Sequence, residues 1–175
     1  AFQNILEDLF SSFAILFDKP FKVGDFIVVG EHKGVVQKMG IKTTRLKSTG
    51  GEEIVISNKE LTSARLQNFK KMKERRIGFN FGVTYETPTG KLKAIPGTVK
   101  DIIDSIEKAR FDRSHFTQFD DSALTFETVY YVTTSDYVVY RDIQQEINLR
   151  IKELFEKDGI DMAYPTQTIY LNKSN

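Results

Sequence analysis

The sequence predicts an α+β chain in three parts: an N-terminal amphipathic helix, a small β-barrel, and an α/β domain that ends in a C-terminal strand. Three observations predict it. Apolar residues recur at spacings of three and four from Phe2 to Phe17. Short alternating runs broken by glycine fill Asp18 to Phe69. From Arg76 onward the hydrophobic period switches between 2 and 3.6 in the order β-α-β-β-α-β. The expected segments are residues 1–18, 19–69, 70–163 and 164–175.

In the first segment Phe2, Ile5, Leu6, Leu9, Phe10, Phe13 and Leu16 or Phe17 share one helical face, and Asn4, Glu7, Asp8, Ser11 and Ser12 take the other. Such a helix can dock on its own domain's core. It can equally pack against copies of itself or continue into a membrane, because this is a heavy apolar load for a helix at a chain end. Pro20 ends it, since the residue before a proline is pushed away from helical angles.

The barrel reading takes Phe21 to Val29 as a strand interrupted at Gly24-Asp25, with Gly30 and Gly34 bracketing a hairpin. Val35 and Val36 start the next strand, Gly40 bends it, and Ile41 to Lys47 alternates as a two-sided strand should. Gly50-Gly51 is a hairpin turn signal. Glu53 to Ile56 form a fourth strand, Asn58 to Leu61 a turn or short helical link, and Arg65 to Phe69 a last strand. Five short strands with glycine at the bends fit a strongly bent barrel. The connector Lys70, Lys71, Lys73, Arg75 and Arg76 is opposed only by Glu74. It is either a solvated, lysine-protected strand edge or a functional surface, a contact for phosphate or an electrostatic lining.

Beyond it, Arg76 to Tyr85 alternates as a half-buried strand. Leu92 to Ala109 keeps helical spacing, with a kink or break expected at Pro96-Gly97. Phe116 to Phe119 is a short strand and Ala123 to Thr133 a long one. Ser135 or Asp136 caps a helix whose stripe is Tyr140, Ile143, Ile147, Ile151, Leu154 and Phe155, with Glu146 and Arg150 as a supporting pair. Gly159 closes it with Ile160 placed for the contact that follows a C-cap glycine. Tyr164-Pro165 turns the chain into a final strand, Thr166 to Leu171, which either completes the sheet or pairs with other subunits. Two helices on one face of an antiparallel sheet is the ferredoxin-like split βαβ pattern.

Composition narrows the chemistry. A chain of 175 residues with 40% hydrophobic content can build two small cores. Lysine and arginine total 25 against 24 acidic residues, so charge effects are local and nucleic acid is not an expected partner. The absence of cysteine removes disulfide, thiolate-zinc and cysteine-nucleophile chemistry. No stretch reaches the roughly 18 to 20 apolar residues that cross a bilayer, and no signal-peptide pattern is present. Because Ala1 already stands inside a helix without a cap residue, a fragment of a longer protein is expected.

Catalysis finds no support. His32 and His115 fall in separate domains, both beside predicted turns, with no ligand spacing to complete a metal site. Glu52-Glu53 and Asp120-Asp121 lie in predicted turns, and Gly90-Lys91 lacks the glycine-rich loop of a phosphate cradle. No catalytic residue, cofactor or metal is assigned. Phe69 beside Lys70 and Lys71 could stack on single-stranded nucleic acid, which keeps an RNA-binding module as the alternative.

The order Phe2-Gln3, Asp18-Lys19-Pro20-Phe21, Val23-Gly24-Asp25, Gly34-Val35-Val36, Thr43-Thr44-Arg45, Ile54-Val55-Ile56, Ser57-Asn58 and Asn68-Phe69, with Tyr164-Pro165 near the end, resembles small-conductance mechanosensitive channels, the MscS family. The resemblance covers essentially the whole chain. It implies the portion after the membrane helices of a homo-heptameric, tension-opened channel of the cell (inner) membrane, with ions and the lipid bilayer as partners and this region cytoplasmic. Residues 1–18 become the end of the pore-lining helix, residues 19–69 an Sm-like barrel, and Thr166 to Leu171 a strand of an inter-subunit barrel. The RNA-binding alternative becomes an Sm-like oligomer. Phe2, Asn4, Leu6, Asp8, Asn58 and Lys59 are the implied residues coupling the pore helix to gating. Lys70, Lys71, Lys73, Arg75 and Arg76 are the implied vestibule or portal charges. Two departures stand out: Ser57 where relatives often carry proline, and Asn4 and Ser12 where they often carry glycine.

Overall fold

The structure, a computed structural model, describes residues 2–167 and 169, with side chains from Leu6 onward. It divides into two compact units, Ala1–Met72 and Lys73–Asn175.

The first unit begins with helix α1 (Phe2–Asp18), followed by β1 (Phe26–Val29), β2 (His32–Met39), β3 (Thr43–Ser48), β4 (Glu53–Ser57), α2 (Asn58–Ser63), β5 (Leu66–Asn68) and a 3-10 turn (Phe69–Lys71). Its strands form an antiparallel sheet in the order β4-β3-β2-β1-β5. No ladder joins β4 to β5 among the described residues, so the sheet is open where a closed barrel was expected. Its core is Ile15, Phe21, Ile27, Val29, Val36, Leu46, Ile56 and Leu61. Alternation produces this: Ile27 and Val29 point inward from β1, and Thr44 and Leu46 from β3.

Two local expectations change. Phe21 to Val23 is not strand; Phe21 is buried as a plug while Lys22 to Asp25 turn, with the Asp25 N–H donating to Lys22 O at 3.0 Å. The first hairpin turns at Gly30-Glu31, since Val29 pairs with His32, and Gly34 lies inside β2. A β-carbon at Gly34 would stand 2.4 Å from Lys47 O, so glycine there permits close strand approach instead of a turn.

The second unit comprises β6 (Arg75–Val83), α3 (Thr89–Asp104), β7 (Ala109–Phe119), β8 (Leu124–Val132) and α4 (Tyr137–Lys157). Its antiparallel sheet runs β6-β8-β7. Ile95, Val99, Ile102 and Ile103 of α3 and Ile143, Ile147, Ile151 and Phe155 of α4 pack with Phe126, Tyr130 and Val132 in one core. A single antiparallel bridge, Val83 to Met162, places the chain beside β6 after α4. It is flanked by hydrogen bonds from Thr84 N to Asp161 O and from Ala163 N to Gly82 O. That bridge stands where a split βαβ fold has its fourth strand. Thr166, Gln167 and Ile169 are not in strand, and the rest of the expected strand to Leu171 lies outside the described residues.

Helix α3 is one helix with Pro96 inside it, not two pieces, because Ile95 and Val99 on either side are held in the core. Strand β7 is far longer than the expected Phe116 to Phe119. His115 accordingly lies within a strand and not beside a turn.

Candidate functional site

Helix α1 docks on the first unit by its polar edge. With 3.6 residues per turn, Glu7, Asp8, Ser12 and Ile15 fall on one side. The Lys59 ammonium donates to the Glu7 carboxylate, and Lys42 Nζ stands 3.8 Å from Asp8 Oδ2. The Glu7 hydrogen bond, reinforced by its charge, raises the Lys59 pKa. Ile15, 3% exposed, is the only described apolar side chain of α1 that is buried. Leu6, Leu9, Phe10, Phe13, Leu16 and Phe17 are all exposed to some degree, Phe10 at 70% and Phe17 at 76% the most. The apolar stripe read from the sequence is therefore present, and within the described residues it is uncovered.

Asn58 is the centre of this junction. It is 2% exposed and stands at the start of α2. Its Nδ2 donates to Ser12 Oγ at 3.0 Å, to Gly40 O at 2.9 Å and to Ile41 O at 3.3 Å. Its Oδ1 accepts from Thr44 Oγ1 at 2.9 Å, and its backbone N–H donates to Lys42 O at 2.8 Å. One side chain thus ties α1, the turn between β2 and β3, β3 and α2 together. The Ser12 hydroxyl also reaches Asp8 O at 2.9 Å and the Ile41 carbonyl. A groove of about 420 Å³ opens beside this node, lined by Leu9, Phe13, Leu16, Met39 and Ile41.

Ser57 has φ −67°, the value a proline ring would impose, and it adds what proline cannot. Its hydroxyl accepts from Glu60 N at 3.2 Å and caps α2. The departure at this position therefore keeps the backbone geometry and substitutes a cap for a ring.

The other expected residues scatter. Phe2 and Asn4 lie in the first turn of α1, and their side chains lie outside those described. The connector divides between the units. Lys71 Nζ donates to Lys19 O at 3.1 Å, and Lys70 is exposed. Glu74 pairs with Arg110 at 2.9 Å, and the Arg75 guanidinium lies over the Tyr137 and Tyr140 rings at 5.7 and 5.5 Å. Lys73 and Arg76 are exposed. Ser12, Thr44 and Lys42 join the junction without having been singled out as its residues. Thr44 had a signal, since alternation puts it on the same inward face as Leu46.

Comparison with known proteins matches both units. Residues 4–71 match the family model described as mechanosensitive ion channel, beta-domain, and residues 77–162 that described as mechanosensitive ion channel MscS, C-terminal. The small-conductance mechanosensitive channel MscMJ of Methanocaldococcus jannaschii is 35% identical over 176 residues, covering 100% of this chain and 50% of the relative. The large-conductance mechanosensitive channel MscMJLR of the same organism is 33% identical over 182 residues, again covering 100% and 50%. The chain spans about half the length of these curated relatives. A crystal structure of closed-state Helicobacter pylori MscS shares the fold with a TM-score of 0.80 at 23% identity, covering 98% of this chain and 67% of that one.

Proposed function

Because this chain belongs to the MscS family of mechanosensitive channels, we propose that it is the portion of a tension-opened membrane channel that couples the end of the pore helix to a cytoplasmic cage. Opening releases ions and small solutes and relieves osmotic pressure, and no chemical catalysis is involved. The whole protein is a homo-oligomer, a heptamer, set in the cell (inner) membrane through helices upstream of this chain. Residues 1–18 end the pore-lining helix, residues 19–69 form the ring beneath the membrane, residues 70–163 the cage wall, and the segment after residue 163 meets other subunits.

The observation that carries this reading is the docking of α1 by its polar edge. Burial of apolar surface is the dominant favourable term in folding, so a helix docked through Glu7, Asp8 and Ser12 with six large apolar side chains left exposed is built for another surface to cover them. Other copies of α1 and the bilayer boundary supply that cover. Lateral tension then selects the state with the larger in-plane area, a population shift between two arrangements. Glu7–Lys59 and Asp8–Lys42, with Asn58 between, bias that shift because they fix the helix to the ring. Leu6, on the outward stripe, and Phe2 and Asn4, one turn earlier, belong to the moving helix. The exposed cations Lys70, Lys73 and Arg76 favour anions along the ion path, while Lys71 and Arg75 are engaged locally.

Patch recordings of the full-length channel test this reading. Glu7→Lys is expected to shift the opening tension, and Lys59→Glu in the same protein to restore it. An unchanged threshold in Glu7→Lys counts against the coupling role. Neutralising Lys70, Lys73 and Arg76 is expected to move the reversal potential under a salt gradient. An RNA-binding module predicts instead an RNA affinity that falls steeply with salt. The family matches support the channel over that alternative.

A further inference from the structure

Helix α1 ends at Asp18, and the next residue, Lys19, takes φ +47° while its N–H donates to Ile15 O at 3.1 Å. The chain leaving this end is held by groups from the far end of the same unit. The Asp25 carboxylate, in a residue only 9% exposed, accepts from Lys22 N at 3.0 Å and from Asn68 Nδ2 at 2.8 Å. The same Nδ2 donates to Pro20 O at 3.0 Å. Lys71 Nζ donates to Lys19 O at 3.1 Å, an ammonium on a carbonyl just past a helix C-terminus, where positive charge is favoured. The Phe69 ring meets Phe26 edge-on at 6.0 Å between centroids.

Asn68 closes β5 and caps the 3-10 turn through its Oδ1, which accepts from Lys70 N at 3.0 Å. Lys71 is the last residue of that turn and precedes Met72, where the first unit ends. The exit of α1 is therefore fastened to the point at which the chain leaves the unit. The Asn58 node lies on other elements, α2 and the turn between β2 and β3, and fastens α1 a turn and a half earlier, at Ser12.

We infer that Asn68 and Lys71, with Asp25, are positioning residues that make the last turn of α1 follow the chain at Met72-Lys73. This inference deepens the channel reading and rests on it: a displacement of the cage's attachment reaches the pore-helix end through this clasp, separately from the Asn58 node. A carboxylate that accepts from both a backbone and a side-chain donor holds geometry better than a single exposed ion pair.

This chain has no cysteine, so once any cysteine elsewhere in the full-length protein is replaced by serine, Phe17→Cys places a spin label on the last turn of α1, and Val55→Cys places a control on β4. Lys71→Met and Asn68→Leu are each expected to raise label mobility at Phe17 by about two-fold, as loss of a local tether does. Neither changes the Val55 control, and Lys71→Arg, which keeps a donor, retains the parent spectrum. In patch recordings Lys71→Met shifts the opening tension and Lys71→Arg does not. An unchanged Phe17 spectrum overturns the clasp, an equal change at Val55 reduces it to general loosening of the fold, and a changed spectrum with unchanged gating overturns its coupling role. A parent protein with no tension-activated current removes the channel reading instead, and the label spectra then decide the clasp alone.

Discussion

Helices α1 and α4 are both amphipathic, and they sit in their units in opposite ways. Helix α4 follows the rule that an apolar stripe faces the core: Ile143, Ile147, Ile151 and Phe155 are buried against the sheet. Helix α1 largely reverses it: Glu7, Asp8 and Ser12 meet α2 and the turn between β2 and β3, Ile15 alone among its described apolar side chains is buried, and Leu9, Phe10, Phe13 and Phe17 are exposed. The difference teaches what each helix is for. Helix α4 buries its stripe within its own unit, whereas α1 is held by polar contacts and Ile15 and leaves most of its apolar surface exposed.

The sharpest way to break that comparison is to delete apolar side chains from both helices. Ile147→Ala removes a fully buried side chain and is expected to cost about 2–5 kcal/mol in urea unfolding. Phe10→Ser on α1 is expected to change the unfolding of this chain by no more than about 0.5 kcal/mol. Its effect should appear in assembly, as a loss of oligomer in sedimentation of the full-length protein. A large stability loss from Phe10→Ser would mean that α1 is an ordinary core helix after all.

The next effect probes the polar docking. Asn58→Ala deprives Thr44 Oγ1 and the Gly40 carbonyl of a partner in a buried site, and unpaired groups there cost about 1–3 kcal/mol. Hydrogen exchange should quicken at the turn between β2 and β3 and at the backbone near Ser12, and remain unchanged in the second unit. Smaller again are the caps. Ser57→Ala, which removes the acceptor for Glu60 N, and Asp136→Ala, which removes that for Val138 N and Val139 N, should each cost about 0.5–2 kcal/mol by thermal unfolding.

What the sequence made legible follows the same division. In α4 the cap Asp136, the stripe and the closing Gly159 at φ +60°, with Ile160 N donating to Phe155 O at 2.8 Å, were all readable because each is a local signal. The existence of α1 was readable too, but not its docked side, since periodicity says which face is apolar and not what covers it. Strand β7 hid because extra residues at Asp112 and Thr117 shift its register and break the two-residue period. Asn58 and Lys59 were reached only through resemblance. Half of what the Asn58 side chain binds is backbone carbonyl, from Gly40 and Ile41, and no side-chain pattern announces a carbonyl.

The smallest expected effect belongs to the Glu7–Lys59 pair, and its pH dependence has a definite sign. The hydrogen bond from Lys59 to the Glu7 carboxylate, and then the charge of that carboxylate, raise the Lys59 pKa above the usual lysine value of 10.5. A group whose folded pKa is raised contributes stability that is fully present below its unfolded pKa and disappears as pH climbs through the folded one. The pair's contribution should therefore be flat across neutral pH and fade only above the ordinary lysine pKa of 10.5. Both side chains are partly exposed, at 52% and 40%, so salt should weaken the contact as well. Lys59→Met should abolish that alkaline loss while leaving the Asn58 hydrogen bonds in place. Melting curves from pH 8 to 11, compared between the two proteins at low and high salt, check it. A wild-type curve that parallels Lys59→Met throughout would mean that the ion pair does not hold α1, leaving Asn58 and Ser12 as what fixes the helix to α2 and the turn between β2 and β3.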